Sequence, residues 1–275
     1  MPELPEVETI ARDLASAVHG ATIAKAFVDR ADVLREHSAR SFTRRLAGAG
    51  LARFWRRGKY VIADLSTGDR LVVSPRFTGS LLIERRPAGW KPDDYTAVRL
   101  VLDDGRTLRY RDVRRLGTVT LMNPARFDAW IATLGPEPFD PALTPERFAA
   151  VVRPSARAIK TILMDQRRIA GIGNIYANEA LWRARIRPSR RGRTLTKAEC
   201  ARLLDEARAV LAAAVEQRGT SFRDYRDPQG GRGGFLGLAQ VYSREGQPCT
   251  RCGTRLRSTH AIEGRITVWC AKCQR

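Results

Sequence analysis

Leu134-Gly135-Pro136-Glu137-Pro138-Phe139-Asp140-Pro141 decides the fold, because the hydrophobic pattern has a different period on each side of it. Three prolines in eight residues remove backbone donors and fix φ, so neither a helix nor a sheet crosses this stretch. Upstream, short apolar and β-branched runs predict strands at Thr22–Asp29, Leu51–Trp55, Tyr60–Leu65, Leu71–Ser74, Ser80–Glu84, Ala97–Leu102, Thr107–Arg111 and Thr118–Met122. Turn signals separate them, among them Ser66-Thr67-Gly68-Asp69 and Asp103-Asp104-Gly105. Before the strands, Val7, Ile10, Leu14 and Val18 recur at helical spacing, and Gly20 follows as a stop, which predicts a helix over Pro5–Val18. Downstream the spacing is helical over Pro145–Val152, Ala156–Met164, Asn174–Ala184 and Lys197–Arg218. An α+β chain is therefore expected, with an antiparallel β-sandwich preceded by a helix, followed by a helical domain.

The last 27 residues hold four of the five cysteines, Cys249, Cys252, Cys270 and Cys273. Two C-x2-C pairs separated by seventeen residues match a four-thiolate zinc site on facing hairpin turns, and Gly253 and Gly264 suit those turns. Four protein ligands leave no position for water, so one structural Zn2+ and a β-hairpin zinc finger are expected. Two disulfides or free thiols are the competing reading. Cys200 lies in a helical stretch and reads as a small buried hydrophobe. The expected division is 1–133 for the sandwich, 134–144 for the linker, 145–238 for the helical domain and 239–275 for the finger. Gly219–Gly237 contains Gly230-Gly231-Arg232-Gly233-Gly234 and reads as a mobile loop within the helical domain.

Charge restricts the partners. Lys and Arg number 49 against 29 Asp and Glu, a net charge of +20, which points to a polyanion such as nucleic acid. Only six of the 49 are Lys, a skew that a GC-rich genome also produces, but that bias does not explain the excess over acids. No apolar run reaches the length of a membrane span. The start, Met1-Pro2-Glu3-Leu4-Pro5-Glu6, has neither the basic nor the apolar region of a secretory signal. A cytoplasmic, DNA-associated monomer is expected. His19, His37 and His260 have no nucleophile motif beside them, and Walker A and dinucleotide fingerprints are absent.

Two constellations can carry chemistry. Removal of Met1 would expose Pro2 as a secondary amine, with a pKa near the α-amino value of about 8. Attack by that amine on an aldehyde-like carbon gives an iminium, an electron sink that drives elimination. Glu3 and Glu6 stand beside it as a general acid and base. The same residues also fit a plain helix start, with Pro5 in the first turn and Glu3, Glu6 and Glu8 favouring its positive end. The second constellation is Gly171-Ile172-Gly173-Asn174. Here two glycines admit a close ligand, Asn174 can cap the next helix, and Lys160, Arg167 and Arg168 add charge upstream. This is either a helix–two-turn–helix clamp on a DNA backbone or a simple capped turn.

Pro2-Glu3-Leu4-Pro5-Glu6-Val7-Glu8-Thr9 resembles the start of the formamidopyrimidine-DNA glycosylases. Arg57-Gly58-Lys59-Tyr60 resembles that family's lysine-bearing turn, and Thr78-Gly79-Ser80-Leu81 its Thr/Ser-Gly loop. Leu163-Met164-Asp165-Gln166 through Gly171-Ile172-Gly173-Asn174-Ile175-Tyr176-Ala177-Asn178-Glu179 resembles its helix–two-turn–helix. The four-cysteine module with Arg265 resembles its zinc finger. These motifs span the chain in the family's order.

The resemblance implies a bifunctional glycosylase and abasic-site lyase. It would excise 8-oxoguanine and formamidopyrimidines from duplex DNA and cleave the strand by β,δ-elimination. Pro2 would attack C1′, Glu3 would protonate the sugar ring oxygen, Glu6 would polarise the amine, and Lys59 would contact phosphate and assist elimination. Lys160, Asn174 and Arg265 would hold phosphates around the flipped nucleotide. Phe77, Arg114 and Leu116 map onto the wedge that fills the vacated space, where the family usually has Met, Arg and Phe. Only the Arg is retained, and Val113 replaces a usual Pro, so opposite-base choice is expected to weaken. An endonuclease VIII-like enzyme for oxidised pyrimidines and a non-catalytic damaged-DNA-binding relative remain open. The Glu3–Thr9 motif favours the purine branch, as does Gly219–Gly237, which resembles the loop that caps 8-oxoguanine. The joint presence of Pro2, Glu3, Glu6 and Lys59 argues against a non-catalytic protein.

Overall fold

A computed structural model describes residues 2–85, 93–221 and 227–275. The chain forms two compact units. Met1–Ala132 with Gln217–Gly234 make the first, and Thr133–Glu216 with Phe235–Arg275 make the second.

In the first unit, helix α1 (Leu4–Val18) precedes nine strands. Strands β1 (Ile23–Val28), β6 (Gly79–Arg85), β7 (Thr96–Leu102) and β8 (Arg106–Asp112) form an antiparallel sheet in the order β1-β7-β8-β6. Strands β2 (Leu34–Arg35), β3 (Leu51–Arg57), β4 (Tyr60–Leu65), β5 (Arg70–Ser74) and β9 (Thr118–Met122) form a second sheet in the order β2-β9-β5-β4-β3. Period-2 alternation explains why the second sheet is buried on both faces. Val61, Ala63 and Leu65 of β4 join Leu81, Leu100, Leu108 and the α1 residues Val7, Ile10 and Leu14 in the sandwich core. Ile62, between them in sequence, turns the other way and packs with Val72, Met122 and Phe127.

The expected sandwich is present, and its strands fall close to the predicted spans. Four short elements are additional among the described residues, namely a 3-10 turn at Ala31–Val33, β2, α2 (Ala39–Leu46) and α3 (Pro124–Ile131). Both helices carry readable caps: Ser38 Oγ accepts from Ser41 N–H at 3.2 Å, and Asn123 Oδ1 accepts from Arg126 N–H at 2.9 Å, with Pro124 in the first turn.

The second unit holds α4 (Pro145–Val152), α5 (Ile159–Met164), α6 (Asn174–Arg183), α7 (Lys197–Glu216) and the hairpin β10 (Arg257–Thr259) and β11 (Thr267–Trp269). Cys200 is fully buried in α7. No helix among the described residues is long and apolar enough to cross a membrane.

The contacts cut the chain differently from sequence order. The proline-rich stretch is not a free tether. Gly135 N–H donates to Gln166 O at 3.0 Å, and Pro136 O accepts from Ala170 N–H at 3.0 Å. Residues 217–234, expected with the helices, belong to the first unit. Arg218 pairs there with Asp13 of α1 and, at 2.7 Å, with Asp227. Within the expected loop Gly219–Gly237, residues 222–226 lie outside the described residues. Its flanks are bonded to one another, with Ser221 N–H donating to Gly233 O at 3.3 Å and Gly234 N–H to Gln217 O at 2.8 Å.

Candidate active site

Pro2 and the carboxylates Glu3 and Glu6 are buried at the start of α1. Pro5 sits in the first turn, where a missing N–H costs nothing. Glu6 Oε2 accepts from Glu3 N–H at 2.7 Å, which closes the turn on itself. Glu6 Oε1 accepts from Thr220 N–H at 2.6 Å, across 214 residues of sequence. Gly219 makes that approach possible. Its φ is +82°, and a Cβ there would fall 2.7 Å from Glu6 Oε1. The Glu6 carboxylate is thus held from two sides by backbone N–H groups. Met1, whose removal would free the amine, lies outside the described residues.

Lys59 occupies the β3–β4 turn, with Gly58 at φ +56°. Arg56 ties this turn to α1, donating to Glu8 Oε2 at 2.7 Å and to Gly58 O at 3.2 Å. Burial works against the charge on Glu8, but the hydrogen bonds and positive fields of Arg56 and Arg12 outweigh it, and its carboxyl sits below the usual range. Phe77 and Arg114 lie on neighbouring loops, with the guanidinium carbon 5.0 Å from the ring centroid. Leu116 is 40% exposed and Val113 38%.

The remaining expected residues lie in the second unit. Asn174 is the first residue of α6 and not its cap. Gly173, in extended conformation, is the cap, and it has no side chain to cap with. Lys160 departs most from expectation, because its side chain is fully buried. Its ammonium donates to Ile266 O at 2.8 Å and to Thr267 Oγ1 at 2.7 Å. Arg265, the residue before that pair, is exposed. Three residues not singled out as site residues brace this region. Asn178 Oδ1 accepts from Val268 N–H at 3.0 Å, and its amide donates to Asn174 O at 2.6 Å. Glu179 accepts N–H bonds from Gln240, Val241 and Tyr242 at 2.8–2.9 Å, and burial pushes its carboxyl up against those donors. Gln166 Oε1 accepts from Gly171 N–H at 2.9 Å and shapes the glycine turn. The signal for all three was their place inside the quoted motif.

Cys249, Cys252, Cys270 and Cys273 present sulfurs that all lie within 4.8 Å of one another. Gly253 and Gly264 take positive φ, +71° and +64°. Tetrahedral thiolates at bonds of about 2.3 Å would stand about 3.8 Å apart, close enough to this spacing for the four cysteines to hold a metal ion.

Comparison with known proteins agrees with this geometry. Residues 1–119 match the formamidopyrimidine-DNA glycosylase N-terminal domain, and residues 134–226 match the formamidopyrimidine-DNA glycosylase H2TH domain. The formamidopyrimidine-DNA glycosylase of Thermomicrobium roseum is 42% identical over 100% of this chain and 99% of its own length. The chain belongs to the formamidopyrimidine-DNA glycosylase family. Family members of known structure share the whole fold. A point mutant of the Lactococcus lactis enzyme, in complex with DNA containing Fapy-dG, superposes with a TM-score of 0.90 at 29% identity, covering 100% of both chains. The same enzyme with abasic-site DNA gives 0.91 at 29% identity and 99% coverage of each.

Proposed function

We propose that the chain excises oxidised purines, 8-oxoguanine and formamidopyrimidines, from duplex DNA and cleaves the resulting abasic strand. The observation that carries this reading is the buried Glu6 carboxylate at the start of α1, gripped between Glu3 N–H and Thr220 N–H. Relatives whose names and bound lesions match this activity support it. With Met1 removed, the Pro2 nitrogen attacks C1′ of the damaged nucleotide, the glycosidic C1′–N bond breaks with its electron pair leaving on the base, and the amine loses its proton. Glu3 protonates the sugar ring oxygen and opens the ring, and Glu6 orients the amine and polarises it. The Schiff base withdraws electrons through β- and then δ-elimination, with Lys59 assisting at the phosphates, and the products are a one-nucleotide gap with phosphate ends.

Phe77, Arg114 and Leu116 act as the wedge, and Asn174 and Arg265 bind phosphate. Lys160 serves the same phosphate grip from within the fold, its ammonium bracing the hairpin that carries Arg265 through Ile266 O and Thr267 Oγ1. The cysteines hold one Zn2+, which shapes the finger and takes no part in the chemistry. The partner is double-stranded DNA, and the protein acts wherever that DNA is kept.

Borohydride trapping on an 8-oxoguanine:C duplex, with the intact protein mass measured alongside, tests this reading. A covalent adduct on a chain lacking Met1 is expected. No adduct would leave a non-catalytic DNA-binding protein. Faster cleavage of thymine glycol:A than of 8-oxoguanine:C would move the activity to oxidised pyrimidines.

A further inference from the structure

The wedge side chains sit on two loops, and one carboxylate holds both loops. Phe77 lies between β5 and β6, and Arg114 and Leu116 lie between β8 and β9. Asp112, the last residue of β8, is fully buried. Its Oδ1 accepts from the Thr78 hydroxyl and, at 3.3 Å, from Arg114 N–H. Its Oδ2 accepts from Gly117 N–H at 2.8 Å and from the Tyr110 hydroxyl at 3.1 Å. Thr78 Oγ1 also accepts from Arg114 N–H at 3.0 Å, so the two loops are bonded directly as well as through Asp112.

The surroundings enforce this joint. Each loop keeps a non-glycine residue in the left-handed region next to a wedge side chain, Arg76 at φ +49° and Arg115 at φ +51°. Such backbone persists only where its neighbours dictate it. A Cβ on Gly117 would fall 1.9 Å from Tyr110 Oη, and one on Gly79 would fall 2.4 Å from Pro75 O. Burial and the adjacent Asp112 charge push the Tyr110 phenol far above its usual range, so it remains a donor at any working pH.

We propose that Asp112, with Thr78 as its relay, is a positioning residue for base extrusion that sets Phe77 and Arg114 in one fixed relation so that both enter the duplex together. This rests on the wedge reading above. A plug assembled beforehand loses less conformational freedom on insertion than two loops ordered separately. The carboxylate itself stays inside the protein and touches no DNA.

The test compares two substrates in the full-length protein, an 8-oxoguanine:C duplex and a preformed abasic site, which has no base to expel. Asp112→Asn turns an NH2 group toward donors, and Thr78→Val removes the relay hydroxyl. Each should lower 8-oxoguanine excision about tenfold, the effect of roughly one lost net hydrogen bond. Abasic cleavage should fall less than about threefold, and Thr78→Ser should restore excision. A 2-aminopurine placed beside the lesion should report slower extrusion in Thr78→Val. If Asp112→Asn does not fold, the Thr78 pair carries the test alone. Equal losses on both substrates, or none, while Arg114→Ala separates the two substrates, would overturn the role of Asp112 and leave the wedge standing. If Arg114→Ala does not separate them either, the wedge reading falls and this proposal falls with it.

Discussion

Glu6 and Lys160 make an instructive pair. Each is ionisable, almost completely buried, and bonded to chain far away in sequence, Glu6 to Thr220 in the first unit and Lys160 to Ile266 and Thr267 in the second. Glu6 was expected to polarise the Pro2 amine, and Lys160 to hold phosphates of the damaged strand. For Glu6 the hydrogen bonds from Glu3 N–H and Thr220 N–H fix the carboxylate at the start of α1, which is compatible with that role. For Lys160 the bonds to Ile266 O and Thr267 Oγ1 run into the hairpin that carries Arg265, which favours a role exercised through that hairpin. Burying an ammonium or a carboxylate is costly unless its hydrogen bonds are satisfied, and on the proposed reading the same solution serves chemistry in one place and geometry in the other. The difference shows that a motif identifies which residue matters but not whether it works on the ligand or through a neighbour.

The largest expected effect is at the α1 start. Glu3→Gln should lower 8-oxoguanine excision by about 100-fold or more, the scale of a lost general acid, while sparing cleavage of a preformed abasic site. Undiminished excision would remove Glu3 from its acid role and leave the buried turn a structural feature, like the hairpin strut. Next comes the metal. Cys252→Ser, or removal of the ion by a chelator, should abolish tight DNA binding with the α1 turn intact, because four-thiolate hairpins do not hold their shape without metal. Elemental analysis finding no zinc, or an iron–sulfur absorbance, would refute the assignment.

Lys160 then sharpens the comparison. Lys160→Met should weaken DNA binding about tenfold, about the scale of one lost net hydrogen bond on the hairpin. The salt dependence separates the two roles. A direct phosphate contact would reduce the slope of log K against log salt by about one unit. A strut acting through Arg265 predicts no further change of slope when Lys160→Met is added to Arg265→Ala, and a strongly non-additive affinity loss. Full additivity, with its own slope change, would return Lys160 to the phosphates.

Much of this was readable in the sequence. Strand alternation around Val61–Leu65, the α1 periodicity and the cysteine spacing each follow from a local rule that packing then reinforces. Helices α2 and α3 escaped notice although each has the eight residues of the expected α4: α2 buries only Phe42 and Leu46 and α3 only Phe127, too few apolar positions for a helical period to show, though their Ser38 and Asn123 caps were in plain view. The partners of Lys160 and Glu6 escaped for a deeper reason. They lie 106 and 214 residues away, and no local pattern encodes which distant backbone group will meet a given side chain. Asp112 is the same case in the first unit, an unremarkable strand-end acid until both loops close on it.

The smallest expected effect tests whether an ion pair nearer the surface behaves like the buried struts. Thr196 and Glu199 form a capping box at the start of α7, with Thr196 N–H donating to Glu199 Oε2 at 2.8 Å and Glu199 N–H to Thr196 Oγ1 at 3.1 Å. Arg190 adds a salt bridge to Glu199 at 2.6 Å, with both side chains about a fifth to a quarter exposed. That pairing, set against a smaller burial penalty, holds the Glu199 carboxyl at about 2. A depressed folded-state value means that the pair stabilises the protein above the ordinary carboxyl range of about 4.5 and loses that contribution as pH falls toward 2. Glu199→Gln should cost about 0.5 kcal/mol at neutral pH, as solvent-screened pairs do, and the gap from wild type should close on acidification. A gap of several kcal/mol by denaturant unfolding, persisting at pH 3, would show that this pair is as deeply committed as Lys160 and that partial exposure is a poor guide to what holds the helical unit together.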